Sequence, residues 1–463
     1  MTSSVTAGTV RAADPLLGRF LLGLAEGLNA ADESVDRIRS EMTTVARAYG
    51  RDDIEFVVLP TVILVETDTG DGGRVSLRTV GARFRFDQIA ALYRLLTDAK
   101  TGSVAPEDGI RRLNEIGRMT PGRGWLMRTF GHAVLTAGLA LLLTPTWEGA
   151  VVAFVLGALI GLAKLVPSPT LQLVFPVAAA FLCGIAVFLL APYIPFGDPL
   201  RLLIAPLATF LPGGMLTTAV TELAAGQMVA GASRLVTGLV QLGLLAFGIL
   251  AAGTVVGVAD ASYAGTDGGA PTPWWVGGLG LLLFAIGNYL HFSAPGRTFL
   301  WVLLALVVAY LGQLAGAALL DATVSGFIGA LAMTPVVLWI ASLPRGVPAQ
   351  LTFLPAYWLL VPGAAGLVGL TEAMGAGQGF EDFALALVSI MSIALGVLIG
   401  TALYRAVHHG AEEIVAFYVE VPQRAPDAPA HPGFWARVRR AIRRPARRAA
   451  DPAPETAERS QEA

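Results

Sequence analysis

The chain has 463 residues, of which 54% are hydrophobic and 14% are charged, and its formal net charge is -2. Soluble globular proteins carry about 25% charged residues, whereas this chain contains several nearly uncharged stretches long enough to cross a hydrocarbon core of about 30 Å. The composition excludes an ordinary soluble protein and predicts a polytopic α-helical membrane protein.

The first 125 residues have the pattern of a soluble domain. Apolar residues at helical spacing over 15–49 predict one long helix or two short helices, which Gly50 ends. Stretches rich in Val, Ile and Thr predict β-strands at 54–59, 61–67 and 74–80, with GDGG at 70–73 as a hairpin turn. Two further helices are predicted in FDQIAALYRLLTDA and PEDGIRRLNEIGR. We therefore expect a small α+β cytoplasmic domain over residues 1–125.

Apolar segments of membrane-spanning length follow. Ten are predicted, at 130–145, 148–166, 171–192, 199–223, 230–258, 274–292, 296–318, 322–343, 350–371 and 383–405. Segments longer than about 20 residues are compatible with tilt or with breaks. We expect two five-segment units, over residues 126–260 and 274–408, and a basic, partly disordered cytoplasmic tail over residues 409–463.

Basic residues in the short loops predict the orientation, because cytoplasmic loops carry an excess of Lys and Arg. With the first domain inside, the inner loops hold Lys164, Arg234, Arg297 and Arg345. The outer loops hold Arg201 alone, beside several acidic residues. The tail adds seven arginines over 434–448. Ten crossings then place both termini in the cytoplasm.

Two stretches of the chain resemble each other. FLPGGMLTTAVTEL at 210–223 and LVPGAAGLVGLTEA at 360–373 align with an offset of 150 residues, and the same offset carries the first five apolar segments onto the second five. Five is an odd number, so the second unit must lie inverted in the membrane relative to the first. Inverted repeats are typical of secondary transporters, whose sites form at interrupted helices from each half.

The Pro-Gly pairs predict where such a site lies. Proline and glycine interrupt a helix, and the freed backbone groups must face protein, water or a ligand. The candidate substrate-binding residues are Pro212, Gly213, Gly214, Thr217, Pro362 and Gly363. The start of a half-helix attracts a carboxylate and the end of one attracts a cation, and an amino acid carries both groups. Kinks made only for helix packing are the simpler alternative.

Other polar residues in or near the apolar segments are weaker candidates. Glu222 and Glu372 follow the two breaks and are candidates for proton coupling or gating, or are ordinary interfacial acids. Asn288 and Gln313 could line a polar path or hydrogen-bond neighbouring helices. Lys164 and Arg234 are interpreted as snorkelling residues, and His291 as an incidental interfacial histidine.

Several motifs are absent from the sequence. It has no G-x-x-x-x-G-K-[ST], no H-E-x-x-H and no G-x-S-x-G, which argues against an ATP-driven pump, a zinc protease and an α/β hydrolase. No cofactor and no metal are expected. The basic tail lacks interleaved aromatic residues, so nucleic acid is not an expected partner. The expected partners are a small-molecule substrate, protons and the lipid bilayer, and homo-oligomer formation is left open.

The combination of these features resembles a known family. LLGLAEGLNAADESVDRIRSEMTTVARAYG at 21–50 precedes IEFVVLPTVILVET and DQIAALYRLL, and the apolar part contains FLPGGMLTTAVTELAAGQMVAGASRLVTG and LPAYWLLVPGAAG. Together they resemble the threonine/serine exporter family of bacterial inner-membrane proteins in its single-chain form, over roughly residues 16–408. The resemblance implies proton-motive-force-driven efflux of threonine or serine, or of dicarboxylates as in some split relatives.

Three functions remain in competition at this stage. The first is a secondary exporter of threonine, serine or a similar small amino acid. The second is an exporter of a small dicarboxylate such as succinate. The third is a membrane receptor or scaffold whose amino-terminal domain is the working part. An enzyme is not expected, because no reactive cluster of His, Cys or carboxylates falls in the apolar segments.

Overall fold

A computed structural model of the chain describes residues 15–66, 75–81, 83–166, 169–258, 273–321, 324–360, 367–371 and 379–409. The predicted hairpin turn at 70–73, the tail beyond 409 and the second Pro-Gly break lie outside these residues.

The amino-terminal module consists of four helices and one sheet. Its helices are α1 (Pro15–Ala30), α2 (Val35–Ala48), α3 (Phe86–Lys100) and α4 (Pro106–Arg118). Its strands are β1 (Glu55–Val58), β2 (Val62–Glu66) and β3 (Val75–Thr79), which pair antiparallel in the order β1-β2-β3. The predicted strands are confirmed, and of the two alternatives for residues 15–49 the structure has two short helices.

The module folds around one apolar core. Residues of β1 and β2 alternate between buried and more exposed positions, as strands with one covered face do. Ile63 and Val65 of β2 are fully buried against a layer of helices that includes Phe20 and Leu24 of α1. Helix α1 buries residues on most of its surface because the sheet, α2 and α4 all pack against it.

Helices occupy every apolar segment predicted from the sequence, the ninth in part. They are α5 (Trp125–Leu143), α6 (Trp147–Ala163), α7 (Pro169–Leu190), α8 (Pro199–Leu207), α9 (Gly213–Ala224), α10 (Met228–Val256), α11 (Trp275–His291), α12 (Phe299–Leu319), α13 (Ser325–Ser342), α14 (Ala349–Leu360) and α15 (Gly379–His409). In the described part of the chain, five helices are long and apolar enough to cross a membrane, or six if the bent pair α8–α9 counts as one span. The chain is thus a polytopic helical membrane protein.

Helices α5 and α11 cross antiparallel at very close range. Gly131 lies against the end of α11, where an added Cβ would come within 2.6 Å of the backbone nitrogen of His291. Further along α5, a Cβ on Gly138 would lie 2.7 Å from the carbonyl oxygen of Gly280. Only glycine permits such backbone contact, so these glycines set the distance between the two helices.

Two other helix pairs use small residues in a similar way. Gly184 of α7 faces Ala252 of α10, and Gly248 of α10 approaches the carbonyl oxygen of Val177. In the second half of the chain, Gly396 of α15 approaches the carbonyl oxygen of Phe327 on α13, at 2.5 Å from an added Cβ. The third and fifth predicted segments of each half therefore pack through glycine.

The module packs directly on one end of the membrane helices, here called the module side. The ring of Phe86 on α3 stacks on Phe292 at a centroid distance of 4.9 Å, and Phe292 stacks on Trp358 of α14 at 5.0 Å. Arg123, in the segment between α4 and α5, donates to the carbonyl oxygens of Tyr289 and Ala294 at 2.9 and 3.0 Å. These contacts link the module to α11 and α14.

Candidate functional site

The span formed by α8 and α9 is interrupted where the sequence places Pro212. Helix α8 ends in a 3-10 turn over Ala208–Phe210, Leu211 is extended, and α9 begins at Gly213. The two helices meet at an angle of 72°. This geometry confirms the break predicted at Pro212 and Gly213. The helix is interrupted here because proline has no N–H to donate and its ring clashes with the preceding turn.

The backbone groups freed by the break are only partly used by the protein. Gln241 of α10 donates its amide to the carbonyl oxygen of Phe210 at 2.6 Å. The hydroxyl of Thr217, a predicted site residue, donates to the carbonyl oxygen of Gly213 at 3.0 Å, within the first turn of α9. The first N–H groups of α9, including that of Gly214, precede the first intrahelical hydrogen bond and give this end of α9 a positive partial charge.

A polar cluster lies immediately before the break. Thr209, in the 3-10 turn, contacts the ammonium group of Lys164 and also His132 Nε2, the latter at 3.0 Å. His132 Nδ1 lies 2.7 Å from the carbonyl oxygen of Gly157 on α6. The ring of His291 on α11 packs edge-on against that of His132 at 4.7 Å. Helices α5, α6, α8 and α11 therefore all contribute to the cluster.

The predicted lining residues occupy different places. Asn288 lies on α11 one turn before His291, is 1% exposed, and neither atom of its amide has a hydrogen-bond partner among the described residues. Gln313 lies on α12. Its backbone nitrogen lies close to Gly329 of α13, and the side chain of Leu360 on α14 lies close to the same glycine. Gln313 is therefore near the end of α14, just before the second predicted break. Pro362, Gly363 and Glu372 themselves lie outside the described residues.

Glu222 joins the broken span to the amino-terminal module. Its side chain is 2% exposed, and its Oε2 lies 3.1 Å from Nε of Arg234 on α10, at an angle too poor for a hydrogen bond. Its Oε1 accepts the backbone N–H of Val35, the first residue of α2, at 3.0 Å. Ser34, the residue before α2, makes no side-chain cap of its own. The carboxylate of Glu222 thus caps a helix of the module, which suits a negative charge.

The turn between α1 and α2 holds a second buried acid. Arg234 donates to the backbone carbonyl oxygen of Glu33 at 3.2 Å, and Arg37 lies 3.5 Å from the Glu33 carboxylate. The nearby carboxylate raises the pKa of Arg37. The hydroxyl of Tyr93 donates to the same carboxylate, and burial raises the pKa of Tyr93 well above its ordinary value. Arg234, Arg37 and Tyr93 therefore all contact Glu33 at this turn.

The break and the module meet near Tyr357 of α14. A Cβ added to Gly214 would touch the Tyr357 ring at 3.6 Å, which is ordinary van der Waals contact. Helix α14 also contacts α3 of the module. Helix α9 thus carries the break at one end and the module contact at the other.

Sequence reasoning missed several of these residues. Lys164 turns inward to Thr209 and Phe210 instead of snorkelling, and Arg234 is buried in an ion pair. His291 is buried in contact with His132. A weak signal existed, because intramembrane ionisable residues are costly and mark functional sites by default. The described residues contain no group of three His, Cys, Asp or Glu side chains that could hold a metal ion.

Comparisons with known proteins identify the family of the chain. The sequence model of the family described as "Putative threonine/serine exporter" matches residues 19–256, from α1 through α10. A "Probable threonine/serine exporter" of Mycobacterium tuberculosis is 27% identical over 420 residues, which cover 84% of this chain and 77% of that protein. No solved structure gives a significant match. The matched residues include most of the module, the α8–α9 break and the cluster residues His132, Lys164 and Thr209, whereas His291 lies beyond the match. Members of this family are transporters and not enzymes. The chain belongs to the threonine/serine exporter family.

Proposed function

We propose that the protein is a secondary exporter of threonine, serine or a similar small polar amino acid, and that the substrate binds at the α8–α9 break. The main support for this location of the substrate site is the 72° bend between the helix that ends at Phe210 and the helix that begins at Gly213. A break with a positive helix end beside polar side chains offers groups for a carboxylate, and a continuous helix offers none. The family and its relative support the amino acid as the substrate class.

We propose further that ten segments form two inverted five-segment repeats. The antiparallel crossing of α5 and α11 supports this, because these are the first segments of each half and inversion requires them to run in opposite directions. The glycine packing of α7 on α10 and of α13 on α15 is a second correspondence. In this arrangement Pro362 and Gly363 supply the second half of the site.

The module side is proposed to be cytoplasmic, and the membrane is proposed to be the bacterial inner membrane. Residues 1–125 then form a cytoplasmic domain, residues 126–260 and 274–408 form the two repeats, and residues 409–463 form a cytoplasmic tail. The positive-inside rule supports this orientation, because Lys164, Arg297 and Arg345 lie at the ends of α6, α11 and α13.

We propose proton motive force as the driving force and Glu222 and Glu372 as candidate coupling or gating residues. For Glu222 the support is its position on α9, the helix that also carries the break. If Glu222→Gln or Glu372→Gln leaves proton-coupled flux intact, that residue is not the coupler.

Efflux from cells tests the proposed function. Cells without other threonine exporters are fed a threonine-containing dipeptide, and external threonine is followed with and without the protein. We expect threonine to appear faster with the protein present, and an uncoupler to abolish the difference. If the protein is in the membrane and external threonine is unchanged, threonine is not its substrate, and the same assay with serine and with succinate decides between the remaining classes.

A further inference from the structure

Lys164 is a cation that faces the helix bundle and has no acidic partner in the part of the chain that the structure describes. It follows the last residue of α6, contacts the hydroxyl of Thr209, and its Nζ lies 4.5 Å from the centroid of the Phe210 ring. No carboxylate among the described residues lies within 4.0 Å of it. It is one of the chain's two lysines, the other being Lys100 of the module. An ionisable group at such a place is costly unless a charge of opposite sign joins it.

The directions of the hydrogen bonds around Lys164 can be assigned from the partners of each group. The carbonyl oxygen of Gly157 can only accept, so His132 Nδ1 carries a proton and donates to it. In the neutral ring Nε2 is then an acceptor, and the Thr209 hydroxyl donates to it. Lys164 in turn donates to Thr209. Among the described residues, this chain of bonds positions the ammonium group and uses one of its three N–H groups.

The surroundings of Lys164 favour a negatively charged ligand group. Thr209 and Phe210 form the last turn before the break, and α9 begins three residues later at Gly213. Lys164, which contacts this turn, therefore lies on the side of the break that faces the positive end of α9. The buried amide of Asn288, which has no hydrogen-bond partner among the described residues, lies one turn from His291, whose ring packs on His132. A polar ligand group that reached this amide would satisfy it.

We infer that Lys164, positioned by Thr209 and His132, binds the carboxylate of the exported molecule at the α8–α9 break. This inference rests on the proposed function and assigns one substrate group to one side chain. A carboxylate on an amino acid and one on a dicarboxylate satisfy it equally, and the test separates the two.

The test compares ligands with and without the carboxylate. Wild-type protein and Lys164→Met are reconstituted in liposomes loaded with threonine, and uptake of labelled threonine by exchange is inhibited with threonine, with threoninol, which lacks the carboxylate, and with succinate. We expect Lys164→Met to raise the half-inhibitory threonine concentration at least about tenfold, since hydrogen bonds to charged groups are worth about 1.5–3 kcal/mol. Inhibition by threoninol, weak for the wild type, should change less than about threefold.

Controls keep the outcome interpretable. Lys100→Met removes the other lysine, which pairs with Glu41 in the module, and should behave as the wild type. Thr209→Val should raise the half-inhibitory concentration about threefold, and it replaces Lys164→Met if that variant does not accumulate. Threonine-induced thermal stabilisation of the detergent-purified protein reads binding without transport, and Lys164→Met should lose it.

The results separate the inference from the function beneath it. Wild-type exchange of threonine with unchanged inhibition and stabilisation in Lys164→Met overturns the assignment and leaves the exporter in place. Wild-type exchange of succinate instead of threonine, lost in Lys164→Met, supports the carboxylate assignment and changes the substrate. A reconstituted wild type that exchanges and binds neither compound overturns the proposed substrates and this assignment with them.

Discussion

Replacing Arg234 with methionine is expected to destabilise the protein by about 3–5 kcal/mol and to release the module from α9. The substitution leaves the carboxylate of Glu222 buried, with the N–H of Val35 as its remaining partner among the described residues. A buried charge that loses its counter-charge costs far more than the ion pair itself contributes. The backbone carbonyl of Glu33 also loses its contact with Arg234.

Two measurements report the expected loss of stability and the release of the module from α9. The thermal midpoint of the protein in detergent should fall, and trypsin should cleave after Arg118 or Arg123, between the module and α5, much faster than in the wild type. The double variant Glu222→Gln/Arg234→Met is the matched control, because glutamine keeps an acceptor for Val35 but carries no charge. It should recover more than half of the lost stability. A single variant as stable as the wild type, or a double variant no better than the single, contradicts this explanation.

Replacing Gly287 with leucine is expected to abolish assembly of the membrane part. A Cβ at Gly287 would overlap the backbone of Leu135 on α5 and lie 2.6 Å from the Leu135 Cβ. Overpacking against side chains costs about 1–3 kcal/mol, and here the obstacle is backbone that cannot change rotamer. The α5–α11 crossing would have to open along its whole length, which also separates His132 from His291.

Gly278 provides the control on the same helix. An added Cβ there has nothing within 4 Å, so Gly278→Ala should be neutral or slightly stabilising, since alanine favours helix more than glycine does. Gly287→Ala should already lower the amount of monodisperse protein recovered in detergent, and Gly287→Leu should yield none. Equal recovery of the Gly287→Ala and Gly278→Ala variants would refute the role assigned to this crossing.

The local part of the fold could be predicted from the sequence. Alternating Val, Ile and Thr gave the strands of the module, and the pair Pro212–Gly213 gave the break, because both depend on properties of neighbouring residues. The bend between α8 and α9 follows from the missing N–H of one proline. Hydropathy likewise predicted where the apolar helices lie, although α5 begins at Trp125, five residues before the predicted segment.

The composition of the site could not be predicted from the sequence. Lys164 lies at the end of its helix, where the sequence favours snorkelling, and only the packing of α6 on α8 turns it towards Thr209. Glu222 and Val35 are 187 residues apart, and no local pattern predicts that a membrane carboxylate caps a helix of the module. Contacts of this kind depend on tertiary packing, which a single sequence does not reveal.

Helix α9 connects the α8–α9 break with the contact between Glu222 and the module. Helix α9 starts at the break near Lys164, and in its last turn Glu222 accepts a hydrogen bond from Val35, the first residue of α2. A substrate that alters the start of α9 would therefore act on the module contact, and loss of that contact would act on the break. For this reason the Arg234→Met variant should also be assayed for exchange of threonine.

Protection of a cysteine at the break tests the central claim most directly. Cys183, the chain's single cysteine, is first replaced by alanine, and Gly214→Cys is introduced, where a side chain meets only ordinary contacts with Tyr357 and Leu354. Gly117→Cys, on the exposed face of α4, is the control. In a variant that still exchanges threonine, threonine should slow thiol labelling at 214 and leave labelling at 117 unchanged. Equal labelling at 214 with and without saturating threonine would contradict binding at the α8–α9 break.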